Sequence, residues 1–384
     1  MIVTHLNLSD FRNYETLDVE LHRGSNLFVG RNGQGKTNLV EALGYLSTLG
    51  SHRVSVDHAM IRQGQDAAVI RARLSHADRE ILAEVQLNRS TANRAQVNRS
   101  PIKARDLPRY FSSVLFAPED LALVRGEPAS RRRFMDELLV LRAPRMSAVI
   151  ADYDRVLRQR NALLKTARNA RGDLSTLDIW DERLITLGSE IIEARSGLVA
   201  DLSPEVSAAY TAIAGAEHAA RLTNYLSVLA STADDEATDI EATRAGVVTA
   251  PLAADAFRTA LGRLRRSELD RGVTLAGPHR DDLILELNGL PARGYASHGE
   301  SWSFALALKL GSAAVLRRES STGDPVLILD DVFAELDEHR RSRLAEAVID
   351  FEQVLITAAV FEDVPERLTA NVVRIDGGRV ITDD

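Results

Sequence analysis

The sequence contains no cysteine, which excludes disulfides, thiol catalysis and cysteine-based zinc or iron–sulfur sites. It is also short of lysine: of its 47 basic residues only Lys36, Lys103, Lys165 and Lys309 are lysines, and the rest are arginines. No apolar run approaches the ~18 residues needed to cross a bilayer, so a transmembrane helix is excluded. The opening Met1-Ile2-Val3-Thr4-His5 lacks the basic stretch and long apolar core of a secretory leader, and the expected compartment is the cytoplasm. A net charge of −8 argues, at face value, against a nucleic-acid partner. Phosphates are bound by local patches rather than by net charge, however, and arginines gathered on one face would suffice. A codon bias toward arginine and alanine accounts for the same composition.

At 384 residues, with 45% hydrophobic and 27% charged, the chain reads as a soluble globular protein of about two domains. Short alternating runs at Ile2–Leu8, Thr16–Leu21, Ala67–Leu74 and Ile81–Leu87 predict strands of a mixed sheet. Leu27-Phe28-Val29 and Val114-Leu115-Phe116-Ala117 predict short buried strands. The proline-free stretch from Met146 to Ser203 carries two helical patterns, parted by Arg171-Gly172-Asp173. Trp180, Leu184, Leu187, Ile191, Ala194 and Leu198 form an a/d seam on the second. Val149, Tyr153, Val156, Leu163 and Ala167 form a poorer seam on the first, broken at Arg160. The expectation is a short antiparallel helical hairpin. Ser231–Glu241, acidic and rich in small residues, predicts an exposed loop. Beyond it come a helix over Ala253–Arg271, a strand over Leu283–Leu287, a helix over Ser301–Arg318, and then strand, helix and strand over Val326–Leu329, Glu338–Ile349 and Val354–Thr357.

Gly30-Arg31-Asn32-Gly33-Gln34-Gly35-Lys36-Thr37 matches the phosphate-binding loop G-x-x-x-x-G-K-[ST], placed after one predicted strand and before a helix over Asn38–Leu49. Its glycines let backbone N–H groups wrap phosphates, Lys36 neutralises them, and the Thr37 hydroxyl suits Mg²⁺. Val326-Leu327-Ile328-Leu329-Asp330-Asp331 is an apolar strand ending in two acids. Asp330 is assigned to the metal, while Asp331 either orients the attacking water or caps the next turn. Lys36 and Asp330 stand nearly three hundred residues apart, too far for a small GTPase or compact kinase, so something large is inserted. Ser297-His298-Gly299-Glu300-Ser301 precedes a helix about thirty residues before the acidic strand. Alone it reads as an N-cap. In that position it matches the signature of an ABC-type ATPase.

With these motifs in order, the sequence resembles the RecF family, in the SMC-like branch of ABC ATPases. The resemblance runs nearly end to end: Leu8-Ser9-Asp10-Phe11-Arg12-Asn13-Tyr14, the phosphate loop with Asn38, Leu115–Leu121, Gly126-Glu127-Pro128, Arg131–Asp136, Gly277–Leu283, Leu306–Lys309 and Leu329–Asp337. It implies an α/β fold: a P-loop ABC-type ATPase head with a mixed sheet, over 1–125 and 250–384, plus an inserted helical lobe over 126–249 with the hairpin near 146–203. It implies ATP and Mg²⁺ as cofactors, with ATP held between two copies of the chain. Gly30–Asn38 and Arg12 of one copy would then face Ser297, Gly299 and Glu300 of the other. Arg53 is either a further phosphate contact or a surface arginine. The implied partners are DNA, at single-strand/double-strand junctions or gaps, and RecO and RecR, together helping RecA onto gapped DNA. No membrane partner is implied.

Two features depart from relatives. Trp302 stands where the signature commonly carries other residues, and it is expected at the dimer surface. Thr357-Ala358-Ala359 occupies the place where transporter ATPases carry a switch histidine, so slow, DNA-stimulated hydrolysis is expected. Gly277–Leu283 reads as a structural or interface loop rather than a metal site. The runs Arg131–Arg133, Arg155/Arg158/Arg160 and Arg263/Arg265/Arg266 are either phosphate contacts or solvated helix faces. The competing functions are a transporter ATPase subunit and a nucleotide-dependent scaffold with incidental hydrolysis. The former predicts a switch histidine and no hairpin.

Overall fold

The computed structural model describes residues 1–77, 79–170, 176–215, 218–230 and 246–381. The acidic segment Ser231–Glu241 and the break Arg171-Gly172-Asp173 lie outside the described residues. The chain divides into two units, the first Met1–Leu121, Ala208–Glu217 and Ser297–Asp384, the second Ala122–Ser207 and His218–Ala296. The second therefore reaches past the expected boundary at 250. Helix Ala250–Arg271 packs on helix Met146–Ala170, and strand Asp282–Leu287 pairs antiparallel with Ala220–Tyr225, so both find their packing partners inside the second unit.

The first unit holds two six-stranded sheets. One is antiparallel, in the order Tyr14–Glu20, Ile2–Phe11, Ala67–His76, Arg79–Asn88, Arg94–Val97, Ser100–Ile102. Its alternation is visible in Ala67–His76, which buries Ala68, Ile70, Ala72 and Leu74. The other runs Arg379–Ile381, Asn371–Asp376, Gly24–Val29, Gln353–Ala358, Val326–Asp330, Ser113–Phe116, and is parallel except at its Arg379–Ile381 edge. Val326–Leu329 is buried at every residue, as expected of a parallel strand covered on both faces. Helix Lys36–Thr48 buries Leu39, Val40, Leu43, Tyr45 and Leu46 in a core cluster that draws on both sheets. Register puts Asp330 opposite Thr357, and Thr357 opposite Phe28. Three strand ends thus meet beside the phosphate loop, where ligands of open α/β sheets bind.

In the second unit the expected two-helix pairing becomes a three-helix core. Tyr153 and Val156 of Met146–Ala170 share a cluster with Leu184, Ile185, Ile191 and Ile192 of Leu177–Ala214 and with Phe257, Leu261 and Leu264 of Ala250–Arg271. The second hairpin helix also runs through Pro204 to Ala214. Burial outweighs the lost hydrogen bond there: Val206 and Tyr210 are both fully buried.

The break in the first seam at Arg160 has a physical cause. Arg160 is 0% exposed, and its Nε donates to Asp181 at 2.6 Å, one Nη to Glu268 at 2.6 Å and the other to the Thr274 hydroxyl at 2.8 Å. It is an internal strut between three helices, which removes it from the candidate phosphate contacts. Arg131 leaves that group for the same reason: it is buried and grips Asp282 through two bonds of 2.8 and 2.7 Å. Gly277–Leu283 is a buried polar knot. Asp281 accepts from the Ser227 amide and hydroxyl at 2.8 Å each, and His279 Nδ1 meets the Tyr153 hydroxyl at 2.7 Å.

Two outcomes follow. Arg160→Ala leaves the buried Glu268 carboxylate without a cation and Asp181 with Arg265 alone, and urea unfolding should show a loss of about 3–5 kcal/mol. Burial pushes the His279 imidazole down to about 4, so the folded chain prefers it neutral. Its contribution is complete above the unfolded value near 6.5 and is lost as pH falls toward 4, by up to about 1.4 kcal/mol per pH unit. Relative to wild type, His279→Gln should therefore gain stability between pH 6.5 and 4.5; a constant offset across that range contradicts the assignment.

Candidate functional site

The phosphate loop leaves strand Gly24–Val29 and enters helix Lys36–Thr48, with Gly33 and Gly35 at φ values of +82° and +114° that a side chain disfavours. A Cβ at Gly30 would lie 2.2 Å from the Ile375 carbonyl oxygen, and one at Gly35 would lie 2.8 Å from the Tyr14 hydroxyl. The glycines are thus required by close approach as well as by φ. Neighbours brace the loop from outside. Asn13 Nδ2 donates to the Gln34 carbonyl at 3.1 Å, the Tyr14 hydroxyl to the Gly35 carbonyl at 3.0 Å and the Gly378 amide to the Gln34 carbonyl at 3.1 Å. The Gly377 amide donates to Gln34 Oε1.

Lys36 is buried, with Nζ donating to the loop carbonyls of Gly30 at 2.7 Å and Arg31 at 3.2 Å. Asp330 Oδ1 accepts from the Thr37 hydroxyl at 3.1 Å and from the Thr357 hydroxyl at 2.6 Å. Thr357 in turn accepts from the Asp331 amide at 2.9 Å, which holds Asp331 in its left-handed conformation at φ 50°. The Asp331 side chain makes no capping hydrogen bond with the turn that follows. Burial pushes its carboxyl above the usual range, opposed by Lys36 and reinforced by Asp330.

Arg12 is clamped on Glu41, one turn into the helix, by bonds of 2.8 and 2.6 Å, and it also donates to the Ala59 carbonyl at 3.1 Å. Its place is that of a brace between the first hairpin and the phosphate-loop helix. Arg53 donates to Asn38 Oδ1 at 2.8 Å, and Asn38 Nδ2 to Asn13 Oδ1 at 2.8 Å. A triphosphate with Mg²⁺ fits this set. No atom lies within 4 Å of where a Gly33 side chain would begin, so the rim of the loop is open to a ligand. Thr37 and Asp330 offer the hard oxygen donors that Mg²⁺ requires.

The signature residues stand apart from this cluster. Ser297 caps helix His298–Glu319, and Glu300 closes the capping box, its carboxylate accepting from the Ser297 amide at 2.8 Å. Glu300, expected at the nucleotide, thus serves its own helix. Ser297 and His298 are exposed. Trp302, expected at a dimer surface, is 3% exposed and belongs to the core.

Comparison with known proteins agrees with this geometry. The family model described as RecF/RecN/SMC N terminal domain matches residues 2–374. The DNA replication and repair protein RecF of Clavibacter michiganensis subsp. michiganensis is 64% identical over 99% of this chain and 96% of its own length. That of Leifsonia xyli subsp. xyli is 64% identical over 99% of both. The chain belongs to the RecF family. A solved structure of the recombination mediator protein RecF-ATP in the RecFOR pathway superposes with a TM-score of 0.87 at 26% identity, over 100% of this chain and 97% of that one. An Smc head bound to the C-winged helix domain of ScpA, at 14% identity and a TM-score of 0.52, shares the fold. This RecF-family chain therefore has the ABC ATPase head fold of the SMC-like branch.

Sequence reasoning missed Thr357, which it read only as the absence of a histidine, the braces Tyr14 and Glu41, and the way the Gln34 side chain and carbonyl anchor the loop to its neighbours. The Gly377-Gly378 pair was the one signal that a turn closes on the loop. Thr357→Val should cost about 1–3 kcal/mol in urea unfolding, because it strands the part-buried Asp331 amide and removes one donor to the buried Asp330 carboxylate; an unchanged midpoint would show that the hydroxyl holds nothing.

Proposed function

We propose that this chain is an ATP-dependent DNA-binding protein of recombinational repair and replication-gap processing, a weak DNA-stimulated ATPase in which ATP joins two copies and slow hydrolysis parts them. The observation that carries this reading is the single oxygen of Asp330 shared by Thr37 and Thr357 beside a complete phosphate loop. The first unit is then the ATPase. Bound Mg²⁺–ATP supplies the phosphate charge and the bond to be broken. The loop amides and Lys36 hold the phosphates, Thr37 and Asp330 hold the cation, and Asp331, with its raised pKa, orients water and takes up its proton. Ser297 and Gly299 of one copy cover the phosphate loop of the other, a two-fold arrangement for which the exposed helix start is suited.

Relatives named DNA replication and repair protein RecF, and a solved RecF-ATP in the RecFOR pathway, support DNA and RecO- and RecR-type proteins as partners, helping load RecA at gaps. This reading places its action in the cytoplasm. With Arg131 and Arg160 buried, the exposed Arg133, Arg155, Arg158, Arg263 and Arg266 remain as candidate phosphate contacts in their runs. The transporter reading finds no support, since the full-length matches are to RecF and Thr357 stands in place of a switch histidine.

The test is light scattering with ATP and Mg²⁺, with and without gapped duplex, over a salt series. ATP should produce a dimer that binds DNA with an affinity falling steeply with salt. Lys36→Met should lose ATP binding, dimer and DNA-stimulated hydrolysis together. Asp331→Asn should keep the dimer and lose hydrolysis by about 10²-fold or more. An ATP-bound species without DNA affinity even at low salt refutes the proposal.

A further inference from the structure

The segment Ser51-His52-Arg53, which follows the phosphate-loop helix, places three successive side chains on three different parts of the site. Ser51 donates to Glu41, Arg53 donates to Asn38, and His52 points at Asp330. The Ser51 hydroxyl also accepts from the Arg53 and Val54 amides at 2.9 and 3.2 Å, so the turn that aims His52 is fixed by its neighbour. His52 is largely buried, and its Nε2 is shut from solvent with no hydrogen-bond partner. It lies 3.8 Å from Asp330 Oδ2, beyond hydrogen-bond length. The other carboxylate oxygen, Oδ1, is the one taken by Thr37 and Thr357. A buried polar nitrogen left unpaired is unfavourable unless something else completes it, and here it faces the oxygen through which Asp330 remains available.

We propose that His52 is a positioning residue for the divalent cation, its Nε2 hydrogen-bonding the water ligands that Mg²⁺ keeps when Asp330 and Thr37 hold it. Mg²⁺ dehydrates reluctantly and is usually bound by one or two protein oxygens plus water, so a group that orders those waters sets how readily the metal is held. His52 thus approaches from the end of the phosphate-loop helix, whereas the switch histidine of transporter ATPases follows the strand that is here Gln353–Ala358. The inference rests on the nucleotide reading of the site.

The experiment is an ATP-binding titration against Mg²⁺ concentration, on the full chain, for wild type, His52→Phe and His52→Gln, with a parallel measurement in EDTA. His52→Phe should raise the Mg²⁺ needed for half-maximal binding at least fivefold while leaving binding in EDTA within twofold. His52→Gln, which keeps a hydrogen-bonding head, should stay within twofold of wild type. If the phenyl ring prevents folding, His52→Ala makes the same comparison. Equal Mg²⁺ dependence in wild type and the apolar variant overturns the inference alone, as does an equal shift in the apolar and Gln variants, which would reveal packing. A wild type that binds no ATP in Mg²⁺ overturns the nucleotide reading and this inference with it.

Discussion

One carboxylate oxygen holds the site together. Asp330 Oδ1 ties the first turn of the phosphate-loop helix, through Thr37, to the end of the neighbouring parallel strand, through Thr357. Thr357 passes the constraint on to the Asp331 amide and so fixes the second acid in a backbone conformation that few residues adopt. Two hydroxyls and one amide thus determine where the two carboxylates, Asp330 and Asp331, stand. Because the groups sit at the ends of strands in a parallel sheet buried on both faces, they inherit its rigidity and not that of a loop.

Much of this was legible. The phosphate loop is a contiguous motif whose chemistry depends on glycine freedom and one lysine, so it survives being read without a structure. The acidic strand was equally plain, since Val326–Leu329 has no polar residue and ends on two aspartates. What could not be read were contacts between segments distant in sequence. Thr357 marks only a missing histidine until the register of two parallel strands sets it opposite Asp330. Arg160 interrupts an apolar seam, and nothing local shows whether such an arginine faces water or two carboxylates from other helices. The grouping of the segment after residue 250 was hidden in the same way: its helical pattern is plain, but its packing partner lies a hundred residues upstream.

The composition takes on a different meaning in this light. Arginine dominates the basic residues, and several of the arginines do structural work: Arg160 and Arg131 are buried struts, Arg12 clamps Glu41, and Arg195 grips Asp136 through bonds of 2.9 Å. A planar guanidinium that donates along several directions can join three elements at once, which an ammonium on a flexible stem does poorly. Part of the acidic surplus is likewise internal, since Glu41, Glu268 and Asp281 are buried. Net charge therefore describes the surface of this protein poorly.

The sheet order also bears on how the chain acquires its activity. Strand Gly24–Val29 lies between Gln353–Ala358 and Asn371–Asp376, and the turn after the latter supplies amides that grip Gln34. During synthesis the phosphate loop leaves the ribosome early, while the strands on either side of it are made more than three hundred residues later. The nascent chain therefore carries a loop that cannot close on its proper neighbours until the far strands arrive, and such long-range parallel pairing is intrinsically slow. The bracing of the phosphate loop is thus completed only when the two distant halves of the sheet have met.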